Sequence, residues 1–199
     1  MKRFVVFVAL GGAMLLFAPL TQAAKFSANL SGPAESPPNA SPGTGVAFVE
    51  LDPVAHTLHV RASFSGLSTN TTMAHIHCCV APPGTAGVAT TVPAFTGFPL
   101  GVTSGSFDGT FNTLVAGTWN PAYITANGGT PATAETALLA GMQAGTSYFN
   151  IHTVAIPGGE IRGFLILQAE IPSLTQGTLV ALVATMLLLG FAMMRKRRR

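Results

Sequence analysis

Thr57-Leu58-His59-Val60-Arg61-Ala62-Ser63-Phe64 decides the fold class. Leu58, Val60, Ala62 and Phe64 alternate with His59, Arg61 and Ser63, the period-2 pattern of a half-buried strand. Upstream, Val46–Leu51 reads as a second strand, joined to the first at Asp52-Pro53. Lys25–Gly32, Thr72–Cys78, Ser104–Phe111, Ser147–Val154 and Glu160–Gln168 read as further strands. Residues 31–45 carry four prolines and form a loop, because proline cannot donate to an inner ladder. The segment Val80–Gly101 has no period and is a loop excursion. One short helix is expected, with Thr130 as cap, Pro131 at its first position and Gly145 closing its end. These signals give an all-β fold, a sandwich or barrel with one short helix.

The two ends differ from the middle. The chain has 199 residues and a net charge of +3, but seven of its ten basic residues lie at the ends. The remaining three, Lys25, Arg61 and Arg162, stand against seven acids, a net of −4 with histidine neutral. This excludes the basic face that a nucleic-acid binder needs. Residues 1–23 read as a signal peptide: Lys2-Arg3, then apolar Phe4 to Leu20, then Thr21-Gln22-Ala23 as the cleavage site. Leu174 to Met194 is an uncharged stretch of 21 residues, long enough for a transmembrane helix, followed by five basic residues that hold its end in the cytoplasm. The expected product is exported and tethered to the membrane by its C-terminal helix.

Three motifs hold the candidate chemistry: His75-Ile76-His77, Tyr148-Phe149-Asn150-Ile151-His152-Thr153 and Pro157-Gly158-Gly159-Glu160-Ile161-Arg162-Gly163. Residues two apart on a strand share a face, so the folded sheet can gather His75, His77, Asn150, His152, Glu160 and Arg162 into one polar patch. His75, His77 and His152 match the ligand supply of a zinc or copper site. The plainer alternative is a hydrogen-bonded network needing no cofactor, with Arg162 paired to Glu160 or Asn150. Arg162 could also anchor a ligand carboxylate. Cys78 and Cys79 leave three options open: a vicinal disulfide in a turn, metal ligation beside His77, or two free thiols.

Catalytic motifs are lacking. No Gly-x-Ser-x-Gly elbow and no phosphate-binding Gly-x-x-x-x-Gly-Lys loop occurs. Glu50 and Asp52 share a strand face, as solvated acids commonly do. Trp119 and Tyr123 flank Asn120-Pro121 and either stack on a sugar or cover the core edge.

These motifs, the opening Ala28-Asn29-Leu30-Ser31-Gly32-Pro33-Ala34-Glu35-Ser36-Pro37-Pro38 and the run from Ala137 to Thr153 resemble the CHRD domain first described in chordin, over residues 25–169. The resemblance implies a Greek-key β-sandwich with a non-enzymatic binding or structural role. Ile171-Pro172-Ser173-Leu174, the apolar stretch and the arginine cluster resemble an IPTL-CTERM sorting tail over residues 171–199, a relative of PEP-CTERM tails. That second resemblance implies an exosortase-type processing enzyme as partner and a Gram-negative cell envelope as location. The motif departs at Ser173 from the usual Thr. Together they lead to the expectation of a surface-retained module in the envelope or exopolymer matrix, meeting extracellular polysaccharide or protein. The competing expectation is a copper–zinc oxidoreductase of superoxide-dismutase type, which also uses a His-x-His strand but needs a fourth histidine.

Overall fold

The computed structural model describes residues 23–168. The expected signal peptide, transmembrane helix and sorting tail lie outside these residues. Among the described residues no helix is long and apolar enough to cross a membrane.

Eight strands form the fold: β1 (Ala24–Ser31), β2 (Thr44–Asp52), β3 (Thr57–Ser65), β4 (Thr71–Cys78), β5 (Gly105–Asn112), β6 (Ser147–Thr153), β7 (Ile161–Phe164) and β8 (Ile166–Leu167). They build one antiparallel sheet in the order β4-β6-β7-β1-β2-β3-β5, with β8 also on β1. The sheet curls about a single core, so the expected sandwich is continuous rather than two separate layers. Glu160–Gln168, read as one strand, is divided: β7 meets β1 at Ser31, and β8 meets it at Phe26 and Ser27.

The alternation on β3 is realised in three dimensions. Leu58, Val60, Ala62 and Phe64 are buried, and so are Ala47, Val49 and Leu51 of β2 and Phe26, Ala28 and Leu30 of β1. At the β2–β3 turn the Asp52 carboxylate accepts from the amides of Val54 and Ala55, which gives that strand-end acid a turn-forming role. The residues between β4 and β5 fold inward. Phe95 stacks on Phe107 of β5 at 6.0 Å and on Phe149 of β6 at 6.1 Å. Phe98 touches the same two rings at 5.4 and 6.5 Å. These loop phenyls fasten the two ends of the curled sheet to each other.

The expected helix is α2 (Pro131–Gln143), capped by a reciprocal Thr130–Thr133 box. A shorter helix, α1 (Pro121–Ala126), precedes it, with Asn120 accepting from the Ala122 amide. Glu135 of α2 is buried and takes hydrogen bonds from Thr113 and from His56. Trp119 is buried, donates its indole N–H to Thr113 O at 2.8 Å and stacks on Tyr123. The pair therefore seals the core edge and offers no sugar platform.

Phe95→Ala should cost about 3–5 kcal/mol, the range for emptying a buried phenyl site. Phe48→Ala, on a ring 45% exposed, should cost less than about 1 kcal/mol. Urea denaturation of the two variants checks this. Equal losses would mean that the loop phenyls do not close the sheet.

Candidate metal centre

On β4, Ala74, Ile76 and Cys78 turn to the core, so His75 and His77 turn to the opposite face. The ladder places His75 opposite Asn150, His77 opposite Tyr148 and Met73 opposite His152. Across the next ladder Asn150 meets Arg162 and Tyr148 meets Phe164. His75, His77, Asn150, His152 and Arg162 are thereby gathered on one sheet face. All five are buried, because three loops cover them.

Each imidazole is fixed by a loop carbonyl. His75 Nδ1 donates to Pro93 O at 3.2 Å, His77 Nδ1 to Ala86 O at 2.8 Å and His152 Nδ1 to Pro157 O at 2.9 Å. A carbonyl only accepts, so each Nδ1 carries the hydrogen and each Nε2 holds a free lone pair. The three Nε2 atoms are buried without a hydrogen-bond partner. One ring nitrogen from each histidine lies within 4.8 Å of the others. A tetrahedral ion about 2.0–2.1 Å from each nitrogen needs them roughly 3.4 Å apart. Ring movements of about 1 Å close that gap.

The electrostatics keep these nitrogens available. Burial lowers the His75 imidazole to about 3, helped by His77 and His152, against the pull of the Pro93 carbonyl. Burial likewise brings His77 to about 4, with His152 and Arg162 adding repulsion, and it lowers His152. Neutral imidazoles with Nδ1 held by carbonyls are the ligand form that zinc and copper take.

Arg162 departs from the expected pairing. Its Nε donates to Ala34 O at 2.6 Å, and its terminal nitrogens donate to Gly84 O at 3.0 Å and Pro83 O at 2.8 Å. The guanidinium lies 4.8 Å over the Tyr148 ring, which in turn stacks on His77 at 4.6 Å. The nearest acid is Glu35, at 3.7 Å. Glu160, placed by sequence in the same patch, leaves it. Its carboxylate turns away to accept from Ser41 Oγ at 2.6 Å, the Ser68 amide, the Ser68 hydroxyl and the Thr153 hydroxyl. Burial alone would raise that carboxyl; the four donors outweigh it and hold it below the ordinary range. The reason for the separation is the turn. Gly159 sits at φ +126°, and Glu160 lies in the bend that follows it, before β7 begins at Ile161, so it is not bound by the alternation that places Arg162.

Glu35 is the residue that sequence reasoning missed. It is buried, and desolvation raises its carboxyl to about 7, although the Arg162 charge and the Ser36 amide pull it down. The available signal was a single acid inside the Pro-Ala-Glu-Ser-Pro opening. Cys78 and Cys79 form a disulfide with each other, on the core side of β4, with Cys78 Sγ 3.2 Å from Ser147 Oγ. This removes them as thiolate ligands beside His77. His56 Nδ1 donates to Glu135, and His59 Nε2 donates to Asp108 at 2.7 Å. Neither supplies the fourth histidine that a dismutase site requires.

The CHRD domain model matches residues 26–165, and the chain belongs to that family. CHRD is a binding or structural, non-catalytic domain family. No curated protein and no solved structure matches the chain.

Arg162→Ala strands the carbonyls of Ala34, Pro83 and Gly84 and should cost about 2–4 kcal/mol, with Arg162→Lys recovering only part. Denaturant midpoints of both variants test this, and an unchanged midpoint for Arg162→Ala contradicts the clamp. The metal-free protein should also be acid-sensitive. In the unfolded chain the histidines protonate near 6.5, whereas burial lowers all three in the folded state, His75 to about 3 and His77 to about 4. The unfolded state then binds more protons as pH falls below about 6.5, and stability drops. Glu35 acts in the opposite sense, since its raised carboxyl gives stability that is present at low pH and lost as pH rises through about 7. Three imidazoles outweigh one carboxyl, so the net effect is a loss of stability as pH falls from about 6 to 4.5. A flat profile there, in metal-free buffer, contradicts neutral buried imidazoles.

Proposed function

We propose that this chain is an exported CHRD binding module whose ligand is a zinc or copper ion held by His75, His77 and His152. The observation that carries the reading is the shared posture of the three rings. Every Nδ1 is spent on a loop carbonyl, and every Nε2 is buried and unpartnered. An unpartnered buried acceptor is costly, and three on rings packed against one another suit a cation.

The role is binding, not turnover. The membership in a non-catalytic family supports this. Export and membrane retention rest on the sequence pattern of residues 1–23 and 171–199: a signal peptide, then an apolar helix whose basic end stays in the cytoplasm and which an exosortase-type enzyme processes. The module then works in a Gram-negative envelope or its exopolymer matrix, beside polysaccharide or protein. A metal carried there serves storage, delivery or cross-bridging of surface partners. The domain does not need the ion to fold, since the core of β1, β2, β3 and β6 lies on the other side of the sheet from the histidines.

Chelator-treated protein should therefore give a cooperative melt. Zinc or copper at about 100 times Kd should add about 2.7 kcal/mol, a rise of roughly 5–10 °C in Tm for a domain this size. His75→Ala and His152→Ala should abolish the rise. An identical melt with and without metal, together with no metal retained on elemental analysis, refutes the reading.

A further inference from the structure

Among the described residues, seven buried side-chain polar atoms have no hydrogen-bond partner, and five belong to this site. Three are the Nε2 atoms of His75, His77 and His152. The other two are Glu35 Oε1 and Asn150 Oδ1. The imidazole nitrogens and the amide oxygen are acceptors, because the imidazoles have spent their hydrogens and an amide oxygen offers lone pairs. Glu35 Oε1 joins them in its ionised form, which a neighbouring cation favours. Buried acceptors without donors point to a guest that brings positive charge and O–H or N–H groups.

The two oxygens stand together. Asn150 lies directly across the β4–β6 ladder from His75 and two residues from His152 on the same face. A Cβ added at Gly159 would stand 2.6 Å from Asn150 Nδ2, 2.8 Å from Glu35 Oε1 and 2.9 Å from Asn150 Oδ1. The Glu35 carboxylate and the Asn150 amide therefore pack together against Gly159, near enough to each other for one water molecule to reach both oxygens. The Glu35 loop is pinned from two sides. Arg162 holds Ala34 O, and Asn39 Nδ2 donates to Glu160 O at 3.1 Å. Only glycine fits at 159, since a side chain at φ +126° would be strained and would collide with Glu35 and Asn150, which already pack against it.

We propose, resting on the metal reading above, that Glu35 and Asn150 hold a water molecule at the open fourth position of the ion. Three lone pairs take the metal, and the remaining two take the two hydrogens of the water bound to it. The five unpartnered acceptors are then all satisfied by one hydrated ion. Three histidines with an exchangeable water is the arrangement of an open site, so the ion can accept a small oxygen-donor ligand in place of that water. Glu35 and Asn150 are positioning residues here, and they act through the water.

The test uses the whole chain loaded with one equivalent of Cu(II) in D2O. Pulsed electron–nuclear resonance should show histidine nitrogen couplings together with strongly coupled exchangeable deuterons of a bound water. Glu35→Met and Asn150→Leu, which keep bulk and remove the acceptors, should weaken Cu(II) binding 10–100-fold, the usual effect of losing partners outside the ligand set, while the nitrogen couplings persist. Nitrogen couplings without strongly coupled deuterons in the unaltered protein overturn the water-holding role and leave the metal reading standing. Absence of nitrogen couplings, with Cu(II) affinity equal in His75→Ala, overturns both. The measurement on the unaltered protein decides the matter even if a variant fails to fold.

Discussion

The constraint on which the site depends is hydrogen-bond accounting at three buried imidazoles. A neutral histidine has one N–H and one lone pair. Here the N–H of each is taken by a carbonyl from a loop, at Ala86, Pro93 and Pro157. Two of those carbonyls belong to prolines. Proline supplies a carbonyl and no N–H, so loops rich in it carry surplus acceptors. These coverings can fix imidazoles by Nδ1 but cannot satisfy Nε2. The chemistry of the loops thereby dictates which nitrogen is left for a guest.

Two neighbouring residues hold the covering in place. Arg162 ties Ala34, Pro83 and Gly84, which brings the segment between β1 and β2 and the segment between β4 and β5 to the same guanidinium. Glu160 ties Ser41 and Ser68. The segment bearing Glu35 is held at Ala34 by one and at Ser41 by the other. The Tyr148 ring touches both Arg162 and His77, with the guanidinium 4.8 Å over it and the imidazole stacked on it at 4.6 Å. Burial is the main reason the His77 imidazole is lowered, and the charge that clamps the loops adds a smaller push in the same direction.

Much of this was legible in the sequence, for reasons that differ by element. β3 could be read because one of its faces is wet and alternation survives. The caps of α2 could be read because Thr130, Pro131 and Gly145 each answer a backbone requirement. The grouping of His75 with His77 and of Asn150 with His152 follows from the period of two alone. β6 was harder, because all seven of its residues are buried and nothing marks which face is the core. The division of β7 from β8 had no local signal. The pairing of Arg162 with Glu160 failed because spacing assumes both on one strand, and Glu160 lies in the bend before β7. Glu35 was out of reach: its place in the site depends on a loop folding back over more than a hundred residues of sequence to meet Arg162. The partner of Cys78 was undecidable from spacing, since adjacent cysteines on a regular strand diverge and only the local turn joins them.

The central claim is that His75, His77 and His152 form a metal centre. Anomalous diffraction from crystals of the domain, grown metal-free and soaked in turn with zinc and copper, tests it most directly. The account predicts one anomalous peak at each metal's edge, about 2.0–2.1 Å from the Nε2 of all three histidines, with each Nδ1 still on its carbonyl. No peak at this position, or Nε2 atoms found bonded to other protein groups, would contradict it.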